Sequence, residues 1–497
     1  MSCAPSSGAP VLSSTRAVWL RSKGAAAATE VNSRPAARKS GRMESPRLWR
    51  AVYPMRSGTG VSDTAAGRAC MAHDGGVMTR LDWLGTATLA LALTACSGGS
   101  ETPTETVAEG TEAPAATPLP TEPTPTLLVA QAWFQNDASG RPQPQPAKLA
   151  LFHQVGDEFV VEEILDPESN VFHKAIPWRD GILTIGAEGA RLKHWTRGDD
   201  GWTATQLWEK SWGGQFDRLR DLELGDVDGD GQDELIIATH DQGVVAVGDE
   251  SDGVWTFSEM DQTPDIFVHE VEAGDVDGDG KIEFYATPSA RNRADLTSQP
   301  GKVVRYDYVD GSYVRSEVIS WEESHAKEIL VADLGQGPQL FAVREGHSVT
   351  RGGQPRLIDP VQIYRLDRAE DGTWSGTIVA SVEDHQMRFL VPGDIDHDGT
   401  IELVGAGFKS GLWRLEPKED GTFDVQLIDR GSSGFEHASH VADLDGDGKV
   451  ELYVAADDQK SLRRYLWDGQ SFQRSDIGTI GSDSERHLSW NIQDGTL

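Results

Sequence analysis

Four segments of the chain repeat one acidic pattern, with aspartate at positions 1, 3 and 5, glycine at position 6 and glutamate at position 9. The segments are 226–234, 275–283, 394–402 and 443–451, and their first aspartates are 49, 119 and 49 residues apart. The long interval contains a shorter fifth copy that begins at Asp333 and lacks the later acids. Such regular recurrence indicates a fold built from one repeated unit.

Each acidic segment lies between two short runs of β-forming residues. The runs that follow the segments are 235–238, 284–286, 403–406 and 452–455. An acidic turn between two short strands predicts a β-hairpin with the acids at its tip.

A glycine followed closely by an aromatic residue gives an independent count of the units. Seven such pairs occur, each at a predicted turn after a strand: Gly156 and Phe159, Gly201 and Trp202, Gly253 and Trp255, Gly311 and Tyr313, Gly372 and Trp374, Gly421 and Phe423, and Gly469 and Phe472. The unit is therefore four strands in about fifty residues, which is the size of a β-propeller blade.

The two ends of the body supply the remaining blade. Six whole units fit between about 171 and 480, and 487–495 has the pattern of a first strand and its turn. Segments 127–130, 149–152 and 159–161 have the pattern of three strands that lack a first. We predict an all-β, seven-bladed β-propeller closed by these ends, which leaves no open edge. Six or eight blades remain alternatives.

The acidic pattern predicts calcium-binding loops, because Ca²⁺ takes six to eight oxygen ligands and the glycine permits the sharp turn. Position 7 would offer a backbone carbonyl and position 9 a closing carboxylate. The alternative is an Asp/Gly turn without metal. About four ions are expected, on these residues: Asp226, Asp228, Asp230, Gln232 and Glu234; Asp275, Asp277, Asp279, Lys281 and Glu283; Asp394, Asp396, Asp398, Thr400 and Glu402; Asp443, Asp445, Asp447, Lys449 and Glu451.

With these four loops, region 127–497 resembles the FG-GAP/VCBS repeat propellers, a family that includes the integrin α-subunit head. The resemblance implies that each loop joins the first two strands of a blade and that the first strand is innermost. Three turns depart from the pattern, and we expect no ion there: those at Asp333, at Asp180–Gly181 and at Asp494–Gly495.

The resemblance also implies that residues six positions before each loop ring the mouth of a central channel. These residues are basic or histidine in all seven blades: His173, Arg220, His269, Lys327, Arg388, His437 and His487. One interpretation is a mouth for an anionic or hydroxyl-rich ligand. In the other, each residue caps its strand by bonding to backbone in the neighbouring blade.

The net charge of −34 argues against nucleic acid and against an anionic membrane surface as partners. The three cysteines all lie at or before Cys96, so the folded body has no disulfide.

The N-terminal region is predicted to contain a targeting signal followed by an extended linker. Segment 78–96 resembles a bacterial lipoprotein signal peptide, in which Cys96 becomes the lipid-modified terminus. Segment 97–126 is a Thr/Pro/Glu-rich linker. Segment 1–77 shows no hydrophobic periodicity and is interpreted as a misassigned start or a targeting extension. We therefore expect the protein to be lipid-anchored at the cell envelope or surface, with no other membrane contact.

The leading functional hypothesis is a monomeric, non-catalytic binding or adhesion module for a glycan or a cell-surface protein. The alternatives are a lyase-like propeller enzyme acting on polysaccharide and a purely structural envelope component. Fold alone does not decide among them.

Overall fold

The computed structural model describes residues 117–214, 217–240, 242–291, 299–352 and 354–497. The expected signal peptide, Cys96 and most of the expected linker therefore lie outside the described residues. Pro118–Leu497 belongs to one compact unit. Its chain begins with β1 (Pro125–Asn136), β2 (Pro142–Pro144), β3 (Ala147–Val155) and β4 (Glu158–Asp166).

Six four-stranded antiparallel blades follow in chain order. Blade 1 contains β5 (Phe172–Trp178), β6 (Gly181–Gly186), β7 (Ala190–Gly198) and β8 (Gly201–Lys210). Blade 2 contains β9 (Leu219–Gly225), β10 (Glu234–Thr239), β11 (Val245–Ser251) and β12 (Val254–Met260). Blade 3 contains β13 (Ile266–Gly274), β14 (Glu283–Ala290), β15 (Gly301–Val309) and β16 (Ser312–Trp321).

Blade 4 carries an inserted hairpin between its second and third strands. It contains β17 (Ala326–Asp333), β18 (Pro338–Arg344), the hairpin β19 (His347–Arg351) and β20 (Gln354–Asp359), then β21 (Val361–Arg368) and β22 (Trp374–Val382). Blade 5 contains β23 (Met387–Gly393), β24 (Glu402–Gly407), β25 (Leu412–Pro417) and β26 (Phe423–Asp429). Blade 6 contains β27 (Ser439–Ala442), β28 (Glu451–Ala456), a 3₁₀ turn (Asp457–Gln459), β29 (Ser461–Trp467) and β30 (Phe472–Thr479).

The last strand, β31 (Glu485–Thr496), closes the ring. It pairs antiparallel with β1, which pairs with β3, and β3 with β4, so blade 7 is built from both ends of the body. The predicted seven-bladed propeller and its closure are confirmed. The predicted turn at Asp494–Gly495 is wrong, because both residues continue β31 and pair with Leu127 and Thr126.

The first strand of every blade lies innermost. Each first strand contacts the first strands of the two neighbouring blades, in the circular order β31, β5, β9, β13, β17, β23, β27 and back to β31. The second strands β6, β10, β24 and β28 are buried at every residue. They lie between neighbouring blades, and this explains why their sequences are apolar runs without alternation.

The seven glycines of the glycine–aromatic pairs all lie at the turn between the third and fourth strands. Their φ angles are positive, from 64° at Gly156 to 102° at Gly201. Glycine adopts this left-handed conformation without the steric penalty of a Cβ atom, so the pairs recur for a backbone reason. Among the described residues, no helix is long and apolar enough to cross a membrane.

Candidate metal centre

The four acidic segments lie where the first strand of a blade turns into the second. We name them by blade: loop 2 (226–234), loop 3 (275–283), loop 5 (394–402) and loop 6 (443–451). In each loop the three aspartates at positions 1, 3 and 5 bring one carboxylate oxygen apiece within 4.8 Å of one another. In loop 5 the position-9 residue Glu402 joins this group. The fold of each loop therefore brings together the acids whose spacing in the sequence predicted a shared metal site.

Backbone N–H groups hold the aspartates in this arrangement. The position-6 glycine N–H donates to the position-1 aspartate in every loop, for example from Gly280 to Asp275 Oδ2 at 2.8 Å. These glycines have φ between 84° and 97°, which a larger residue would strain to adopt. The position-7 N–H donates to the position-5 aspartate at 2.8–2.9 Å. The carbonyls of Gln232, Lys281, Thr400 and Lys449 remain predicted ligands.

The position-9 glutamate accepts a backbone hydrogen bond at the start of its loop. One of its oxygens accepts the N–H of the position-2 residue, at 2.8 Å from Val227 to Glu234 and at 2.9 Å from Ile395 to Glu402. The same bond forms in loops 3 and 6. Burial raises the pKa of Glu234, Glu283 and Glu402 to about 7 and also raises the pKa of Glu451. A cation at the loop would favour the ionised form.

Each loop also holds one buried carboxylate oxygen that has no hydrogen-bond partner among the described residues. The four atoms are Asp226 Oδ1, Glu283 Oε2, Asp396 Oδ1 and Asp443 Oδ1. An unpaired buried carboxylate oxygen is costly, and a bound hard cation would satisfy it. The all-oxygen donor set disfavours zinc. The residues therefore fit a hard divalent cation in all four loops.

The three departing turns are arranged differently. Asp333 Oδ1 accepts the N–H groups of Gly335 and Gly337, both at 2.8 Å. Asp180 forms the short turn between β5 and β6. Asp494 lies inside β31, where its Oδ1 is 2.7 Å from His440 Nε2. At none of these three positions does a group of convergent acids form among the described residues.

Two arginines that the sequence analysis did not single out lie against the acidic loops. Arg305 of β15 contacts Asp277 at 2.7 Å and Glu283 at 3.3 Å in loop 3. Arg414 of β25 contacts Asp396 at 2.6 Å and Glu402 at 3.3 Å in loop 5. The available signal was the pattern of arginine followed two residues later by an acid on the third strand.

The seven basic or histidine residues predicted to ring the channel mouth do lie at the start of the innermost strands. The side chains are buried, from 0% exposed at His437 to 8% at His487. His173 Nδ1 is 2.5 Å from the carbonyl of Leu219 in the next blade, and His437 Nδ1 is 2.9 Å from that of Gly407 in the preceding one. These two bonds are the strand-capping contacts of the structural interpretation.

The charges in this ring are matched by buried acids. Glu436 Oε2 lies 3.2 Å from Arg220 and 2.6 Å from Arg388, so one carboxylate joins blades 2 and 5. Glu345 Oε1 lies 3.0 Å from Lys327. Burial lowers the pKa of Lys327 to about 8 and that of His437 to about 4. The ring is a buried ion-paired layer beneath the end of the propeller that faces away from the acidic loops.

A comparison with known protein families identifies the same repeated segments. A family model described as an FG-GAP-like repeat matches residues 226–286 and 394–454, which contain loops 2 and 3 and loops 5 and 6. No curated protein matches the chain.

Solved structures resemble the fold at low sequence identity. A putative 6-phosphogluconolactonase from Bacteroides uniformis is 13% identical, with a TM-score of 0.46, over 75% of this chain and 100% of that one. Cobalt-substituted apocarotenoid oxygenase from Synechocystis is 11% identical, with a TM-score of 0.45, over 75% and 93%. The Pan2 WD40 domain of Neurospora crassa is 11% identical, with a TM-score of 0.38, over 66% and 86%. The acidic loops, the matched family model and the ring of blades together show that the chain carries FG-GAP-like repeats in a seven-bladed β-propeller.

Proposed function

We propose that the protein is a calcium-stabilised β-propeller that acts as a binding module for a glycan or protein partner outside the cytoplasm. The observation that carries the proposal is the repeated loop, in which three aspartates converge within 4.8 Å and one buried carboxylate oxygen of the loop has no hydrogen-bond partner. Oxygen ligands in a flexible loop favour Ca²⁺ over transition metals. FG-GAP repeats often bind calcium, which supports this choice of ion.

The ion would act on the fold. Each loop connects the innermost strand of a blade to the second strand, so a cation there would tie the two strands together at one end. Without it, clustered carboxylates repel one another. Any ion that binds only the folded state raises the free energy of unfolding. Calcium would thus stabilise a scaffold and leave partner recognition to other surfaces.

Recognition is best placed on the far face, which we define as the blade ends opposite the acidic loops. The far face carries the connections between second and third strands, including β2 and the inserted hairpin β19–β20. Arg351 and Arg356 are exposed on that hairpin. Long connections held by a rigid scaffold are where binding residues concentrate.

A binding screen tests the proposal directly. The calcium-loaded full-length chain would be applied to a glycan array and to a panel of cell-surface proteins, and we expect saturable binding that is lost on chelation. The variant R351A/R356A should weaken binding at least tenfold. The control K418A changes an exposed lysine at a turn on the acidic-loop side and should bind normally. Equal loss in both variants would contradict a far-face site, and new products from a polysaccharide would indicate the enzyme alternative.

We further propose that Cys96 is lipid-modified after export, which would hold the propeller at the cell surface. The support is the sequence pattern that ends at Cys96. Metabolic labelling with a fatty acid should mark the wild-type protein and leave C96S unlabelled. Labelling of both proteins would contradict the assignment.

A further inference from the structure

Two of the four acidic loops are each contacted by a buried arginine from the third strand of the same blade. Arg305 pairs across the sheet with Tyr285, and Arg414 pairs with Val404. Tyr285 and Val404 each lie two residues after the position-9 glutamate of their loop. The two arginines therefore occupy the same place in blades 3 and 5, and their side chains are only 4% and 8% exposed.

Each guanidinium binds the same two ligand positions. Its Nη atoms contact the position-3 aspartate at 2.6–2.7 Å and the position-9 glutamate at 3.3 Å. On its other side it contacts an acid two residues along its own strand, Asp307 or Glu416. In loop 3 the side chain of Arg368 from blade 4 also contacts Asp277.

Loops 2 and 6 lack this direct arginine contact. In blade 2 the equivalent strand position holds Val247, which pairs with Ile236, and Asp249 lies two residues further on. In blade 6 the position holds Arg464, which pairs with Tyr453. The charge of Arg464 acts on Glu451 from a distance. Among the described residues, however, no ion pair within 4.0 Å joins Arg464 or another cation to the carboxylates of loop 6 or loop 2. The four loops thus have equivalent ligand residues and fall into two pairs, which differ in whether an arginine contacts those residues.

The difference has a direct electrostatic consequence. An arginine guanidinium does not lose its proton in proteins, so its charge remains when a metal arrives. It repels a divalent cation nearby and competes for the same carboxylate oxygens. It also neutralises the loop when metal is absent. In loops 2 and 6 no arginine contacts the carboxylates directly, so a bound cation would be the main charge that offsets their repulsion.

We propose that Arg305 and Arg414 divide the metal sites into two classes, with tight binding at loops 2 and 6 and weaker binding at loops 3 and 5. This inference rests on the proposed calcium function. The propeller would then hold two ions across a wide range of calcium concentration and gain two more as calcium rises. We expect the two classes to differ at least tenfold in dissociation constant.

Calorimetric titration of the metal-free full-length chain with CaCl₂ tests the division. The wild type should show two tight and two weaker sites. In R305Q/R414Q the weaker sites should tighten about tenfold, while the melting temperature without metal should fall because loops 3 and 5 lose their internal cation. The matched control is R365Q, since Arg365 holds the same strand position in blade 4, whose first turn has no cluster of acids, and contacts Asp367. R365Q should leave the titration unchanged.

Two further variants test the division even if the double variant does not fold. D228N changes position 3 of loop 2 and should remove one tight site, and D277N changes position 3 of loop 3 and should remove one weaker site. Four sites of equal affinity, or loss of the same class in both variants, would overturn the inference while leaving the calcium function intact. Absence of any heat of calcium binding would instead overturn the proposed function.

Discussion

The position-9 glutamates are held in buried positions by a backbone hydrogen bond, and burial disfavours their charged form when no metal is bound. One oxygen of Glu234 accepts the N–H of Val227, which keeps the side chain inside the loop. Burial then raises the pKa of this carboxyl to about 7, and that of Glu402 to the same value. A residue that is half-protonated near neutral pH in the metal-free protein would become fully ionised beside a cation.

The raised pKa of these glutamates predicts how the stability of the metal-free protein depends on pH. The folded-state pKa lies above that of the unfolded chain, so the folded state binds more protons between the two values. The stabilising contribution is complete below the unfolded pKa and is lost as pH rises through about 7. The metal-free protein should therefore melt several degrees lower at about pH 8 than at about pH 5.

Calcium-loaded protein provides the comparison. With the carboxylates ionised and bound, the decrease in melting temperature between about pH 5 and pH 8 should become much smaller. Differential scanning fluorimetry of both forms across this range measures the effect. A metal-free protein that becomes more stable as the pH rises would contradict the assignment of these glutamates.

Glu436 makes a separate prediction in the central layer. Its buried carboxylate lies against both Arg220 and Arg388, so E436Q would leave two buried guanidinium groups without their shared partner. Breaking a buried ion pair in this way costs about 3–5 kcal/mol. Urea denaturation should show that loss, whereas the exposed control E419Q should change the free energy of unfolding by less than about 0.5 kcal/mol. Equal stability of the two variants would rule out a structural role for the layer.

At the scale of elements, the features that repeat along the chain could be predicted from sequence. The acidic loops recur with their glycine at position 6, and the turn glycines such as Gly201 recur because the backbone needs a positive φ angle there. The hairpin β19–β20 could not be predicted in this way, because it occurs in one blade and has no periodic counterpart. The approach of Arg305 to loop 3 depends on sheet register, which pairs Arg305 with Tyr285 and so brings it to Asp277, 28 positions earlier in the chain.

The closing strand β31 can be tested by deletion. Removing 485–497 exposes the edge of β1 and loses the burial of Leu488, Trp490 and Ile492. Each of these side chains contributes about 1.5–3 kcal/mol, which together rivals the total stability of a typical domain, about 5–15 kcal/mol. We expect the truncated protein to aggregate or to lose its cooperative melt. Removing Leu497 alone should have little effect, and a normal melt after the full deletion would contradict ring closure.

At the scale of the whole molecule, the number of blades could be predicted from the repeats. The burial and ion pairing of the side chains at the start of the inner strands could not. Seven glycine–aromatic pairs predicted seven blades because each blade needs one such turn. The position of His173 and its six counterparts at the start of the inner strands also followed from the repeat. Their burial did not, because Glu436 reaches Arg220 and Arg388 only after the ring has closed.

Calcium removal tests the whole account most directly. At about 10 mM calcium, a site with a dissociation constant of about 10⁻⁴–10⁻³ M adds about 1.4–2.7 kcal/mol to the free energy of unfolding. Four such sites on a domain of this size should raise the melting temperature by about 7–14 °C. The measurement is the thermal melt of the full-length chain in calcium and in excess chelator. A fall of that order on chelation is the predicted result, and coincident melting curves would contradict a propeller stabilised by calcium.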